Sequence, residues 1–462
     1  MEAMTVAHEE IVTVNPATGD ELERFPVMGD AEVDSVLAAV HHRFAGWGGL
    51  PIGRRAELMH AAADVLRRCL EELAGLITGE MGKPIAEARA EVEKCATTCD
   101  HYADRAAEML ADQPAPSDAR ASFISLEPLG TVLAVMPWNY PLWQAIRFAA
   151  PTLMAGNTAV LKHASNTTGS ALRLERVLLE AGFPDSVLRT LVIPGGRIAR
   201  VIDDPRIAAV SLTGSDAAGS RVASAAGRAL KKTVLELGGS DAFVVLEDAD
   251  IAAAAATAVR SRFQNCGQSC IAAKRLIVLE EVADRFEEAV VAEAERLRVG
   301  DPTDPETQMG PMARADLRDD LERQLAESVR QGARVATGGR RPERRGWYFP
   351  PTVLIGCAAG MPAVDEETFG PLAAVIRVAD EEAALRAANR SAYGLGGNVW
   401  TGDVERGVRF ARRMETGGVF VNGMTHSDPR LPFGGVKRSG YGRELHAFGI
   451  REFVNVKTIW VG

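Results

Sequence analysis

Residues 207–239 read "IAAVSLTGSDAAGSRVASAAGRALKKTVLELGG". The run 207–212 is short and wholly apolar around Ser211, which suits a buried strand rather than a helix. Gly214 sits in the turn that follows, and Gly219 lies just inside the helix that "DAAGSRVASAA" predicts. "TVL" (233–235) then begins another strand, which ends on an acid and a pair of glycines. The same alternation occurs upstream, with "TVLAVM" (131–136), "TAVL" (158–161) and "LVI" (191–193) separated by mostly helical segments. Short apolar strands alternating with helices predict an α/β protein with a parallel, doubly wound sheet. The pattern resumes after residue 270 with "RLIVL", "AAVIRV", "GGNVW" and "GGVFVN", which predicts a second α/β unit.

Ahead of the first strand, residues 54–77 carry Leu58, Ala62, Val65, Leu66, Cys69, Leu73 and Leu76 on one stripe, the mark of a single amphipathic helix. A second helix is expected from Pro84 to about Leu110, with Pro84 suited to its first turn. "ADQPAPSDARAS" (111–122) breaks the pattern. The tail "REFVNVKTIWVG" (451–462) is strand-like and needs a sheet edge, in its own chain or a neighbour's.

A chain of 462 residues predicts two or three domains. The formal charge of −10 argues against nucleic acid or an anionic membrane as the main partner. No apolar run is long enough for a membrane span. The start "MEAMTVAHEE" has neither the basic nor the apolar region of a signal peptide, so the cytoplasm is the expected compartment. Of the six cysteines, Cys69, Cys95 and Cys99 fall at helical spacing and read as small buried hydrophobes. Neither Cys95/Cys99 nor Cys266/Cys270 has the spacing of a zinc half-site, so no metal is expected.

Ligands of doubly wound sheets bind beyond the carboxyl ends of the strands. There the chain places "PWN" (137–139), "KHAS" (162–165), "TGS" (213–215) and "ELGG" (236–239). Gly214 and the following helix N-terminus suit a phosphate, or form only a tight turn. Lys162 either supplies charge to a ligand or snorkels at a strand end. Glu236, set among apolar residues, reads as a general base with a raised pKa or as half of an ion pair. Cys270, in "FQNCGQSCIAAKR" (263–275), follows small residues that leave a thiol approachable.

"MPWNYP", "LTGSDAAG", "LELGG", "NCGQSC", "EETFGP", "ANRSAYGLGGNVWT" and "LPFGGVKRSGYGRE" occur in one order, after an opening "VNPATGDEL". From about residue 11 onward the chain resembles the NAD(P)-dependent aldehyde dehydrogenase superfamily, and within it the bacterial succinate-semialdehyde dehydrogenases. The resemblance implies a Rossmann-like cofactor domain (1–112 and 130–238), a second α/β catalytic domain (239–435) and a small β oligomerisation element (113–129 and 444–462). It implies that Cys270 is the nucleophile, that Asn139 and the Cys270 N–H form the oxyanion hole, and that Glu236 activates the water that hydrolyses a thioester. Lys162 would bind the adenosine ribose, Gly214, Ser215 and Gly219 the pyrophosphate region, Glu367 the nicotinamide ribose and Phe369 the nicotinamide ring. Trp138 and Leu237 complete that set. Cys266 matches no catalytic position and reads as a packing residue or a redox neighbour of the nucleophile.

NAD-preferring relatives often carry Glu where this chain has Ser165; its absence implies that NADP is accepted at least as well as NAD. Arg147, eight residues after Asn139, matches an arginine that some relatives use for a substrate carboxylate. A second such arginine is here Gln264, with Ser427 or Arg430 in "MTHSDPRLPFGG" as candidates to compensate. The expected partner is a small aldehyde, either succinate semialdehyde or a broad range of aliphatic and aromatic ones, and the expected assembly is a homodimer or homotetramer. A cysteine hydrolase built on Cys270 and Glu236 is a competing reading that leaves Gly214, Lys162 and "EETFGP" without a role.

Overall fold

A computed structural model describes residues 9–462; the reading of the N-terminus as lacking a signal peptide falls largely on residues 1–8, outside the described residues. Five parallel strands form the first sheet in the order Lys232–Glu236, Ile207–Thr213, Thr131–Met136, Thr158–His163 and Leu188–Thr190. Thr131–Met136 lies between the next strand, Thr158–His163, and Ile207–Thr213, three strands later, so the strand order reverses beside it. That reversal opens a crevice at the carboxyl ends of the strands. Alternate residues feed opposite faces: Ala134, Ala159 and Leu161 pack under the helices Ile52–Arg68 and Pro141–Met154, while Leu133, Val160 and Val210 pack into a second cluster. A sixth strand from far along the chain, Gly440–Tyr441, pairs antiparallel with Lys232–Glu236.

The second sheet has seven strands around the fully buried Ala273–Leu279. Its neighbours Asp241–Val245 and Leu372–Val378 are parallel to it, and Gly397–Trp400 and Phe420–Val421 continue one side. A three-stranded antiparallel sheet joins Val454–Val461 to Ala121–Pro128 and Gln113–Pro114, so the tail finds its partner within its own chain. No helix among the described residues is long and apolar enough to cross a membrane.

Two sequence expectations need correction. The stripe at 54–77 is two helices, Ile52–Arg68 and Leu70–Met81. The break at Cys69 lets the first pack on Ile85–Met109 and the second reach Thr168–Glu180. Cys69 is only half-buried there, and its Sγ accepts a hydrogen bond from Arg173 at 3.2 Å. The strand expected at 191–193 is Leu188–Thr190, because Ala159 and Leu161 register against Leu188 and Thr190. Leu191 still donates its N–H to the Leu161 carbonyl before the chain leaves the ladder.

Candidate active site

The helix Ile251–Phe263 is followed by a left-handed turn through Asn265, Cys266 and Gly267, with φ of 52°, 55° and 71°. Left-handed backbone is unfavourable for the two non-glycine residues, so the surroundings must hold it. The fully buried Arg262 does so: Nε donates to the Leu372 carbonyl at 2.7 Å and Nη1 to the Gly267 carbonyl at 3.2 Å. Gln268 accepts from the Ala313 N–H at 2.8 Å and donates to the Asn265 carbonyl at 3.1 Å. Cys270 therefore leaves a braced turn, half-buried, just ahead of Ala273–Leu279.

Asn139, at the carboxyl end of Thr131–Met136, is tied to the same turn. Its Nδ2 donates to the Gln268 carbonyl at 3.1 Å, and its own carbonyl accepts from Asn265 Nδ2 at 2.8 Å. The Cys270 N–H has no backbone or side-chain acceptor among the described residues. Helix Pro141–Met154 starts immediately after Asn139, and the N–H groups of Leu142 and Trp143 both donate to Glu91 Oε1 at 2.9 Å. Glu91 is itself ion-paired with the buried Lys83.

Glu236 ends its strand with both carboxylate oxygens buried and unbonded. Burial pushes its carboxyl well above the usual range, the Glu444 carboxylate adds to this, and Arg147 and Arg443 oppose it. Burial pushes the Cys270 thiol up to about 12, against the pull of Arg147 and Lys274. Burial thus favours the neutral form of both groups. Cys266 is buried and its thiol is pushed up by burial still further, which fits the packing reading and leaves no exposed redox partner.

Around the carboxyl ends of the first sheet lie Trp138, Lys162, Ser165, Gly214, Ser215 and Leu237. Burial is what lowers the Lys162 pKa, with no neighbouring charge contributing. Ser165 is exposed, and in the same turn the buried Asn166 Nδ2 has no hydrogen-bond partner. Ser215 caps the helix Asp216–Arg228, accepting from Ala218 N at 3.3 Å. A Cβ on Gly219 would lie 2.5 Å from Leu237 Cδ2, so a side chain there would force Leu237 to move. Glu367 Oε1 accepts from the Gly239 N–H and from Lys274 Nζ, each at 3.0 Å. Phe369 meets Trp138 edge-on, with ring centroids 5.7 Å apart. A lysine and an amide without partners among the described residues, a capped helix N-terminus and a glycine cradle are a donor set that fits a nicotinamide dinucleotide.

On the other side of Cys270 is a cavity of about 340 Å³. Arg147, Gln264 and Ser427 line it, as expected from the sequence. Arg430 does not: it is exposed and pairs with Asp428 at 2.5 Å. Arg147 is already engaged, with Nε 2.5 Å from Glu444 Oε2 and Nη2 donating to Thr213 Oγ1 at 3.2 Å. Two further cations in the wall were missed in the sequence. Arg260 stands one helical turn before Gln264, a spacing that would have revealed it. Lys94 comes from Ile85–Met109 and had no signal, since its contact Ser427 lies 333 residues away. The buried Lys274, four residues after Cys270, was also missed; it donates to the Cys270 carbonyl at 2.9 Å.

The model of the "Aldehyde dehydrogenase family" matches residues 4–459. Succinate-semialdehyde dehydrogenase [NADP(+)] 1 of Mycobacterium tuberculosis is 49% identical over 454 residues, 98% of this chain and 99% of that protein. The Mycobacterium avium succinate-semialdehyde dehydrogenase [NADP(+)] is 48% identical over 98% of this chain and 97% of its own length. Among solved structures, succinic semialdehyde dehydrogenase from Streptococcus pyogenes in complex with NADP+ superposes with a TM-score of 0.96. It is 38% identical, over 98% of this chain and 99% of that one. A fold shared at that level, with the turn, cradle and cavity in these places, settles the kinship: the chain belongs to the aldehyde dehydrogenase family.

Proposed function

We propose that this chain oxidises succinate semialdehyde to succinate with NADP, and that NADP serves at least as well as NAD. The observation that carries the reading is a thiol opening on a cavity whose wall holds Lys94, Arg147 and Arg260. A substrate with a carboxylate opposite its aldehyde suits such a wall. The names of the mycobacterial and streptococcal relatives support both substrate and cofactor.

In this reading Cys270 first gives its proton to solvent, Sγ adds to the aldehyde carbon, and the thiohemiacetal oxyanion is met by Asn139 Nδ2 and the Cys270 N–H; loss of hydride from that carbon would leave the thioester. Trp138, Lys162, Ser165, Gly214, Ser215, Gly219, Leu237, Glu367 and Phe369 would hold the dinucleotide, which when bound supplies the hydride acceptor. Glu236, once deprotonated, takes a proton from the water that attacks the thioester, and the Cys270 thiolate leaves as the acid forms. The braced 265–270 turn keeps the nucleophile and both oxyanion donors in one geometry.

The reading extends to organisation. Residues 1–112 and 130–238 would form the cofactor domain, 239–435 the catalytic domain, and 113–129 with 444–462 the oligomerisation element. The outer edge of Val454–Val461 is unpaired among the described residues, and Val456 and Trp460 are 64% and 56% exposed, which supports a homodimer or homotetramer. Six free cysteines and a thiol nucleophile suit the cytoplasm.

Initial rates with succinate semialdehyde, butanal and benzaldehyde, each with NADP and NAD, test this on wild type and Cys270→Ala. A preference for succinate semialdehyde with NADP, lost in the variant, is expected. Equal rates on all three aldehydes would discard the semialdehyde assignment.

A further inference from the structure

Three cations border the cavity, and their surroundings differ. The Arg147 charge is offset by Glu444 at 2.5 Å, and its guanidinium stacks on Phe433 with 4.9 Å to the centroid. Arg260 faces Glu87, whose carboxyl it helps to hold down against burial. Lys94 pairs with no carboxylate among the described residues. Its Nζ donates to the neutral Ser427 Oγ at 2.7 Å and lies 4.1 Å from the centre of the Trp143 ring.

A half-buried ammonium with a hydroxyl and an indole face for company retains N–H groups and a charge to satisfy. Its two contacts fix its direction: Trp143 belongs to the helix that follows Asn139, and Ser427 to the segment that closes the opposite wall. An anion arriving there gains a preformed charge-assisted hydrogen bond without first breaking an ion pair.

We propose that Lys94, oriented by Ser427 and Trp143, is the specificity-determining cation that receives the carboxylate end of a short oxo-acid substrate. This deepens the semialdehyde reading and rests on it. It gives Gln264 a context, since the charge absent there is supplied from another helix.

Titration adds an independent handle. Burial, with help from Arg147, lowers the Lys94 pKa to about 8, against Cys95 and Glu91 on its own helix and Asp428 in the facing segment, which raise it. The ammonium therefore loses its proton as pH rises through that value, and affinity for a carboxylate falls with it, whereas affinity for an uncharged aldehyde does not follow. Arginine at this position stays charged throughout.

The test compares kcat/KM for succinate semialdehyde with kcat/KM for butanal, from pH 6.5 to 9.5, in wild type, Lys94→Met and Lys94→Arg. For Lys94→Met the ratio is expected to fall about 10- to 100-fold, chiefly through KM for the semialdehyde. For Lys94→Arg the ratio is expected to recover and to lose its decline above pH 8. A ratio unchanged in Lys94→Met overturns the proposal, as does a fall that Lys94→Arg shares in full. A loss confined to kcat on both aldehydes assigns Lys94 a structural role and also overturns it. Wild type that itself favours butanal would instead overturn the semialdehyde reading, which separates the two failures.

Discussion

Arg147 Nε lies 2.5 Å from Glu444 Oε2, with both side chains buried between the cavity and Glu236. Removing one partner of such a pair strands the other charge, at a cost of about 3–5 kcal/mol. Arg147→Met is therefore expected to lower the urea midpoint sharply, and Arg147→Met with Glu444→Gln to recover most of the loss. A single variant that unfolds at the wild-type midpoint would show that the pair carries no stability.

Glu236 is expected to limit hydrolysis more than acylation. Glu236→Gln should give a burst of about one NADPH per Cys270, followed by a steady rate lower by about 10²–10⁴. Because burial raises the Glu236 pKa, the base form accumulates as pH rises, so the wild-type hydrolysis rate should climb with pH above neutrality. Stopped-flow absorbance reads both; a steady rate falling with pH there would contradict the assignment.

The Cys270 thiol, pushed up to about 12 in the free protein, is a scarce thiolate at neutral pH. Inactivation by iodoacetamide should quicken by about tenfold for each unit between pH 7 and 9. Cys266→Ser should leave that profile in place, because Cys266 is buried behind the turn. A plateau below pH 8 would mean that a partner unseen in this geometry activates the thiol.

Gly267 has φ of 71°, and a Cβ there would strike the Gly370 carbonyl. Gly267→Ala should lose more than about 1 kcal/mol of stability and misplace Cys270, lowering both Tm and kcat. Thermal unfolding followed alongside turnover would show the two falling together; a change in neither would mean that the turn tolerates a side chain.

Ser165 is exposed in the turn after Thr158–His163, beside the strand end that carries Lys162. Ser165→Glu would set a carboxylate against a 2′-phosphate, and the kcat/KM ratio of NADP to NAD should drop by about tenfold or more. An unchanged ratio would move the discrimination to another residue.

The candidate site residues were legible in the sequence where the signal is local. Cys270, Glu236 and Asn139 each close a short motif at a strand end or a turn, and strand ends are readable from apolar runs bounded by glycine and polar residues. The parallel sheet and the helix Ile85–Met109 were readable for the same reason, because burial imposes a period on neighbouring residues. Only the tertiary structure decided which charges are free. Arg147 and Glu444, and Lys94 and Ser427, meet across 297 and 333 residues of chain, and no periodicity links such pairs. The break at Cys69 and the outward course of Arg430 were settled the same way, by which neighbour a side chain reaches once the helices have packed. Local sequence determines what a residue can do; the pairing of its charge across the fold determines whether it is available to do it.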